Sequence, residues 1–143
     1  MTKPYCIYLA GPMDQVSANV MNEWREEVCR KLHYQEKDNI IKLVNPCRRP
    51  HDCGLTDREV FDLDMKDIRG CDIILADIRF MPRENTGTAS EIFYASEILK
   101  KPVIGWKGNA EVTARRIFLN VLCAQQFDEL EDAIDHILNF YVE

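Results

Sequence analysis

The chain has 143 residues, a hydrophobic fraction of 46% and a formal net charge of -6. That length suits one domain (residues 1–143) with a full core that needs neither disulfides nor metals. The acidic balance disfavours a nucleic-acid polymer as partner, and no apolar run approaches the length that crosses a bilayer.

In chain order, Met1-Thr2-Lys3-Pro4 leads directly into a strand over Tyr5–Ala10, so no signal peptide is expected. A helix follows from Val16 to about Tyr34, on apolar residues at Val20, Trp24, Val28 and Leu32. Ile40–Asn45 reads as the second strand. Thr56 caps a helix that contains Val60, Leu63 and Ile68 and stops at Gly70. The third strand is Asp72–Asp77, followed by a helix from about Ala89 to Leu99. Pro102–Trp106 is the fourth strand and Glu111–Leu122 a further helix. A short fifth strand near Gln125–Phe127 precedes a last helix over Glu129–Tyr141. There is no repeat or linker. Strand–helix alternation of this kind predicts an α/β fold, a doubly wound parallel sheet of four or five strands with helices on both faces.

Six cysteines (Cys6, Cys29, Cys47, Cys53, Cys71, Cys123) are scattered without a framework spacing. Several sit beside apolar residues, as reduced core thiols of a cytoplasmic protein do. Only Cys47-Arg48-Arg49-Pro50-His51-Asp52-Cys53 invites a metal reading. Its spacing matches no common zinc pattern, so neither a metal nor a cofactor is expected.

The most informative segment is Asn85-Thr86-Gly87-Thr88-Ala89-Ser90-Glu91, just after the third strand. Gly87 allows close approach of a ligand, and the helix start offers free N–H groups. With the helix starting at Ala89, Glu91 falls in its first turn, where the dipole favours the charged form. Two readings stand: an anionic nucleophile or sugar-hydroxyl acceptor, and a simple electrostatic cap. In an open parallel sheet, loops at strand C-termini line the ligand crevice. Gly11-Pro12-Met13-Asp14 therefore belongs beside Gly87, although an ordinary turn explains Gly11-Pro12 equally well. Three loops (Tyr8–Asp14, Asn45–Arg58, Asp77–Glu91) and the helix bearing Asp64 and Asp67 would bring Tyr8, Asp64, Asp77, Asn85 and Glu91 towards one crevice.

The order and spacing of several blocks carry a resemblance. Tyr8-Leu9-Ala10-Gly11-Pro12-Met13, then Asp64, then Gly87-Thr88-Ala89-Ser90-Glu91 with Tyr94-Ala95 and Lys101-Pro102-Val103, resemble the nucleoside 2-deoxyribosyltransferase family over about residues 4–106. The resemblance implies a flavodoxin-like fold and cleavage of a nucleoside N-glycosidic bond through a glycosyl-enzyme. It gives Glu91 the part of the nucleophile, Tyr8 that of its orienting tyrosine, and Asp64 that of the group handling the base proton. Gly11, Pro12, Met13, Asp77, Asn85, Gly87, Thr88 and Ser90 become the substrate-binding candidates. The implied partners are a small nucleoside or nucleotide and a second copy of the chain that completes the sugar site, the helix around Glu111–Leu122 being apolar enough to pack against it.

Asn85 departs from the transferases, which carry an aspartate there for the sugar 5′-hydroxyl. A neutral amide would tolerate a 5′-phosphate, as in the related nucleoside 5′-monophosphate N-glycosidases, with Arg83, Arg48 or Arg49 supplying charge. The first loop looks more like the transferase type. Nucleoside versus nucleotide, and transfer versus hydrolysis, therefore stay open. The alternatives are a TIR-like NAD glycohydrolase and a catalytically silent nucleotide sensor.

Overall fold

Five parallel strands, β1 (Tyr5–Ala10), β2 (Ile41–Val44), β3 (Ile73–Asp77), β4 (Val103–Trp106) and β5 (Gln125–Phe127), form one sheet in the order β2-β1-β3-β4-β5. The computed structural model describes residues 3–13, 17–48, 54–79, 81, 86–109 and 116–142. Its helices are α1 (Ala18–Lys31), α2 (His33–Lys37), α3 (Asp57–Gly70), α4 (Thr86–Phe93), α5 (Ile117–Leu122) and α6 (Leu130–Phe140). The doubly wound α/β class and the five-strand count are as expected, and the strand order is that of flavodoxin-like sheets. Among the described residues, no helix is long and apolar enough to cross a membrane.

Side-chain alternation along the strands feeds two separate layers. Tyr8, Ala10, Ile74 and Ala76 pack with Ile68 of α3, Ile92 of α4 and Leu119 of α5. Ile7, Leu9, Ile73 and Leu75 pack with Trp24 and Val28 of α1 and Ala133, Ile134 and Ile137 of α6. Each fully buried Ile, Leu or Val among them contributes roughly 1.5–3 kcal/mol by leaving water. β1 and β3 are covered on both faces, which explains why they read as continuous apolar runs in the sequence.

Three helices differ from the sequence expectation. The first ends at Lys31, and Leu32 turns the chain into the short α2. Its buried stripe is Met21, Trp24, Arg25 and Val28. A strict four-residue spacing drifts around a helix of 3.6 residues per turn, so Val20 rotates away from the core. α4 begins at Thr86, ahead of the expected Ala89, and passes into a π-helical turn over Tyr94–Ile98. Of the helix expected over Glu111–Leu122, only Ile117–Leu122 is described as helix, with residues 110–115 outside the described set. α3 matches closely: Thr56 accepts from the Glu59 N–H while the Glu59 carboxylate accepts from the Thr56 N–H, a complete capping box.

Candidate active site

The strand order reverses between β1 and β3, and in such sheets the ligand crevice opens at the carboxyl ends of those strands. Tyr8, near the end of β1, is 0% exposed and lies between Val44 of β2 and Ile74 of β3. Its phenol donates a hydrogen bond to Oε2 of Glu91 on α4. Two residues 83 positions apart thus share one proton donor and one acceptor at the edge of the sheet.

The reason for Glu91's electrostatics is not the one expected. α4 starts at Thr86, so Glu91 lies beyond a first turn that holds no acidic residue. The helix dipole fades within one turn and does not govern it. Burial is the largest influence, pushing the Glu91 carboxyl up to about 7. The Tyr8 hydrogen bond opposes that rise, the negative charge of Asp64 adds to it, and the Arg25 guanidinium opposes it. Tyr8 itself is held well above the usual phenol range, by burial first and by the Glu91 charge second, so it remains a donor.

Asp64 projects from α3 and is partly buried. Its charge acts on Glu91, Tyr8 and Cys47, which places it within electrostatic reach of all three. Asp67, one turn further along α3, accepts from Arg48 at 2.8 Å. Arg48, a sequence candidate for holding phosphate, is engaged there and on the Asn45 carbonyl.

The other substrate-binding candidates fall into two groups. Gly11 and Pro12 are buried and Met13 is half-buried at the end of β1. A Cβ on Gly11 would lie 2.9 Å from Trp24 Cζ2 and 3.1 Å from Asp77 Cβ, so packing requires a glycine there. Gly87 is different: among the described residues a Cβ on it would meet nothing within 4 Å, and its backbone is ordinary helix. Packing against the described residues does not require a glycine at this position. Ser90 is exposed there, whereas Thr88 is buried under the helix.

Asp77 stands apart from the Tyr8–Glu91 pair. By strand alternation it faces the α1 and α6 layer with Ile73 and Leu75. Its carboxylate accepts from Arg79 Nε at 2.9 Å, Arg79 Nη2 at 3.0 Å and the Arg79 N–H at 3.2 Å. The clamped guanidinium lies over the Trp106 ring, 3.9 Å from its centroid. Asn85, together with Asp14, Arg49, Arg83, His51, Asp52 and Cys53, lies outside the described residues.

Sequence reasoning missed Arg25 and singled out Cys47 only as a metal ligand. Arg25 is fully buried; it donates to the carbonyls of Met21 at 2.6 Å and Gly11 at 3.1 Å, with longer bonds to that of Leu9. It also lies over the Trp24 ring. It therefore ties the Gly11 turn to α1 and supplies a positive charge that holds the Glu91 carboxyl down. An arginine at a core position of an otherwise apolar stripe was the available signal. Cys47 follows an Asx turn made by Asn45 Oδ1 and feels both Asp64 and Glu91. A carboxyl poised near neutrality beside a second acid suits nucleophilic or general acid–base chemistry.

The family model for nucleoside 2-deoxyribosyltransferase matches residues 7–133. Among solved structures, a 2-deoxyribosyltransferase from Bacillus psychrosaccharolyticus is similar at 23% identity and TM-score 0.67, covering 91% of this chain and 90% of its own. A 2-deoxyribosyltransferase from Leishmania mexicana aligns at 21% identity and TM-score 0.66, over 97% of this chain and 100% of that one. A CMP N-glycosidase from Clostridium botulinum aligns at 18% and 0.56, over 92% and 96%. No curated protein gives a significant sequence match. The structural likenesses, all under 25% identical, speak for the fold.

Proposed function

The chain belongs to the nucleoside 2-deoxyribosyltransferase family, and from that premise we propose that it cleaves the N-glycosidic bond of a (deoxy)nucleoside or its 5′-monophosphate through Glu91. The observation that carries this reading is the Tyr8–Glu91 hydrogen bond at the ligand-binding edge of the sheet. A glycosidic bond breaks through an oxocarbenium-like state, which a carboxylate below the sugar stabilises and then captures. Glu91 attacks the anomeric carbon as the carbon–nitrogen bond breaks, and the departing base takes a proton from Asp64. A second base or a water then attacks the same carbon, Glu91 leaves, and Asp64 recovers a proton from the incoming nucleophile.

Each neighbour has a share in that cycle. Tyr8 holds one Glu91 oxygen so that the other faces the sugar, and it stabilises the ionised form. Arg25 does the same electrostatically and fixes the Gly11-Pro12-Met13 turn. Gly87, Thr88 and Ser90 line or support the sugar side, and Asp77 acts at one remove by anchoring Arg79 on Trp106. Asn85 is assigned to the 5′ group of the sugar, where a neutral amide accommodates either a hydroxyl or a phosphate. The enzyme works as a homo-oligomer, since α5 leaves Ile117, Phe118 and Val121 largely exposed on one short helix. Such a cluster marks an interface more often than a bare surface.

The test is turnover of a panel of nucleosides and their 5′-monophosphates, with and without an acceptor base, read as free base by chromatography. Base release abolished by Glu91→Gln supports the reading. Folded protein that binds members of the panel yet releases no base from any of them overturns it in favour of a silent sensor.

A further inference from the structure

Away from the crevice, at the opposite end of β1, two thiols face each other. Cys6 Sγ and Cys71 Sγ are 3.1 Å apart although 65 residues separate them in the chain. The backbone already locks them together. The Asp72 N–H donates to the Cys6 carbonyl at 2.8 Å, and the Cys6 N–H donates to Asp72 Oδ2 at 2.8 Å. Lys101 Nζ adds bonds to the carbonyls of Ile68, Arg69 and Cys71, pinning the end of α3. A disulfide needs its sulfurs about 2 Å apart, so closing the bond asks for a movement of about 1 Å between groups already held.

We propose that Cys6 and Cys71 form a reversible redox modification site that reacts with low-molecular-weight disulfides. The two thiols are not equivalent. Cys71 is 1% exposed, whereas Cys6 is only partly buried. The hydrogen bond between the two sulfurs lowers the Cys6 thiol below its ordinary value, and the same bond, with burial, raises Cys71. Cys6 is therefore the attacking thiolate and Cys71 the resolving thiol. Cys6 attacks one sulfur of the small disulfide, forming a mixed disulfide and releasing one small thiol. Cys71 then attacks Cys6 Sγ; the Cys6–Cys71 bond forms and the second small thiol departs with the Cys71 proton. Two protein thiols are oxidised and one small disulfide is reduced to two thiols, so the electrons balance.

The cross-link would tie β1, two residues before Tyr8, to the residue that caps α3, the helix of Asp64. It closes a 65-residue separation, so it stabilises by restricting the unfolded chain. The full-length protein is incubated with oxidised glutathione, then alkylated, digested and mapped by mass spectrometry without reduction. The expected result is a Cys6–Cys71 linked peptide, an intact mass lower by two hydrogens, and a thermal midpoint raised by roughly 10 °C. Dithiothreitol should reverse all three. Cys6→Ser and Cys71→Ser should each abolish them, while Cys29→Ser leaves them in place. The proposal is overturned if both thiols remain alkylatable, if only mixed disulfides form, or if the cross-link lowers the midpoint. Peptide mapping of the unsubstituted chain decides the matter even where a serine variant folds poorly, and no arm depends on turnover.

Discussion

Tyr8 and Glu91 come from the first strand and the fourth helix, and the phenol of one donates to a carboxylate oxygen of the other. The bond opposes burial, which pushes the Glu91 carboxyl up to about 7. A nucleophile must be ionised, so kcat/KM should fall as pH drops through about 7, and it should fall again at higher pH where Asp64 loses the proton it gives to the base. Tyr8→Phe removes a hydrogen bond that favours the ionised form and should move that acid limb to higher pH. A limb that stays in place in Tyr8→Phe would refute the coupling.

Glu91→Gln should lower turnover by at least about a thousandfold, as expected for loss of a covalent nucleophile. The same variant should be more stable than the parent at high pH. A carboxyl raised in the folded state holds its proton more tightly there than in the unfolded chain. Stability therefore declines as pH climbs from the ordinary carboxyl value of 4.5 to about 7. Glutamine has no such dependence, and its advantage above neutrality should be on the order of 3 kcal/mol. Urea titrations at pH 5 and pH 8 measure it; an equal difference at both would contradict the assignment.

Asp64→Asn should cost most with substrates whose bases leave poorly, since those rely on protonation. It also removes a negative charge that raises the Glu91 carboxyl, so the acid limb should shift to lower pH, opposite to Tyr8→Phe. Equal losses for good and poor leaving bases would remove Asp64 from the proton-transfer role.

Gly11→Ala places a methyl 2.9 Å from Trp24 and 3.2 Å from the Arg25 guanidinium. Overpacking of this kind costs about 1–3 kcal/mol. Because Arg25 holds the Gly11 carbonyl, the turn should shift and KM should rise more than kcat falls. Gly87→Ala, whose Cβ meets no described atom within 4 Å, should leave stability within about 0.5 kcal/mol and affect substrate affinity alone.

Phe118 is 80% exposed on α5. Phe118→Glu should shift the protein to a smaller species by light scattering and reduce turnover along with it. A parent protein that is monomeric and fully active at micromolar concentration would contradict the oligomer.

The layer architecture, the strands and the Thr56 cap of α3 were legible in the sequence because they depend on local pattern: apolar runs, turn residues, and a capping side chain before a helical stripe. The candidate site was legible as a set of residue types, since Gly87 and Glu91 lie in one segment and the resemblance to one family added Tyr8 and Asp64 to it. What the pattern does not contain is environment. The helix-start argument gave Glu91 a dipole-stabilised charge, whereas in the fold α4 begins a turn earlier and burial reverses the direction. Asp77 looked like a crevice residue by position, but strand alternation turns its carboxylate into the other layer, onto Arg79. The roles of Arg25 and of the Cys6–Cys71 pair were hidden for the same reason. Their partners are carbonyls or thiols brought near by the sheet, and only the folded chain decides which groups lose water together.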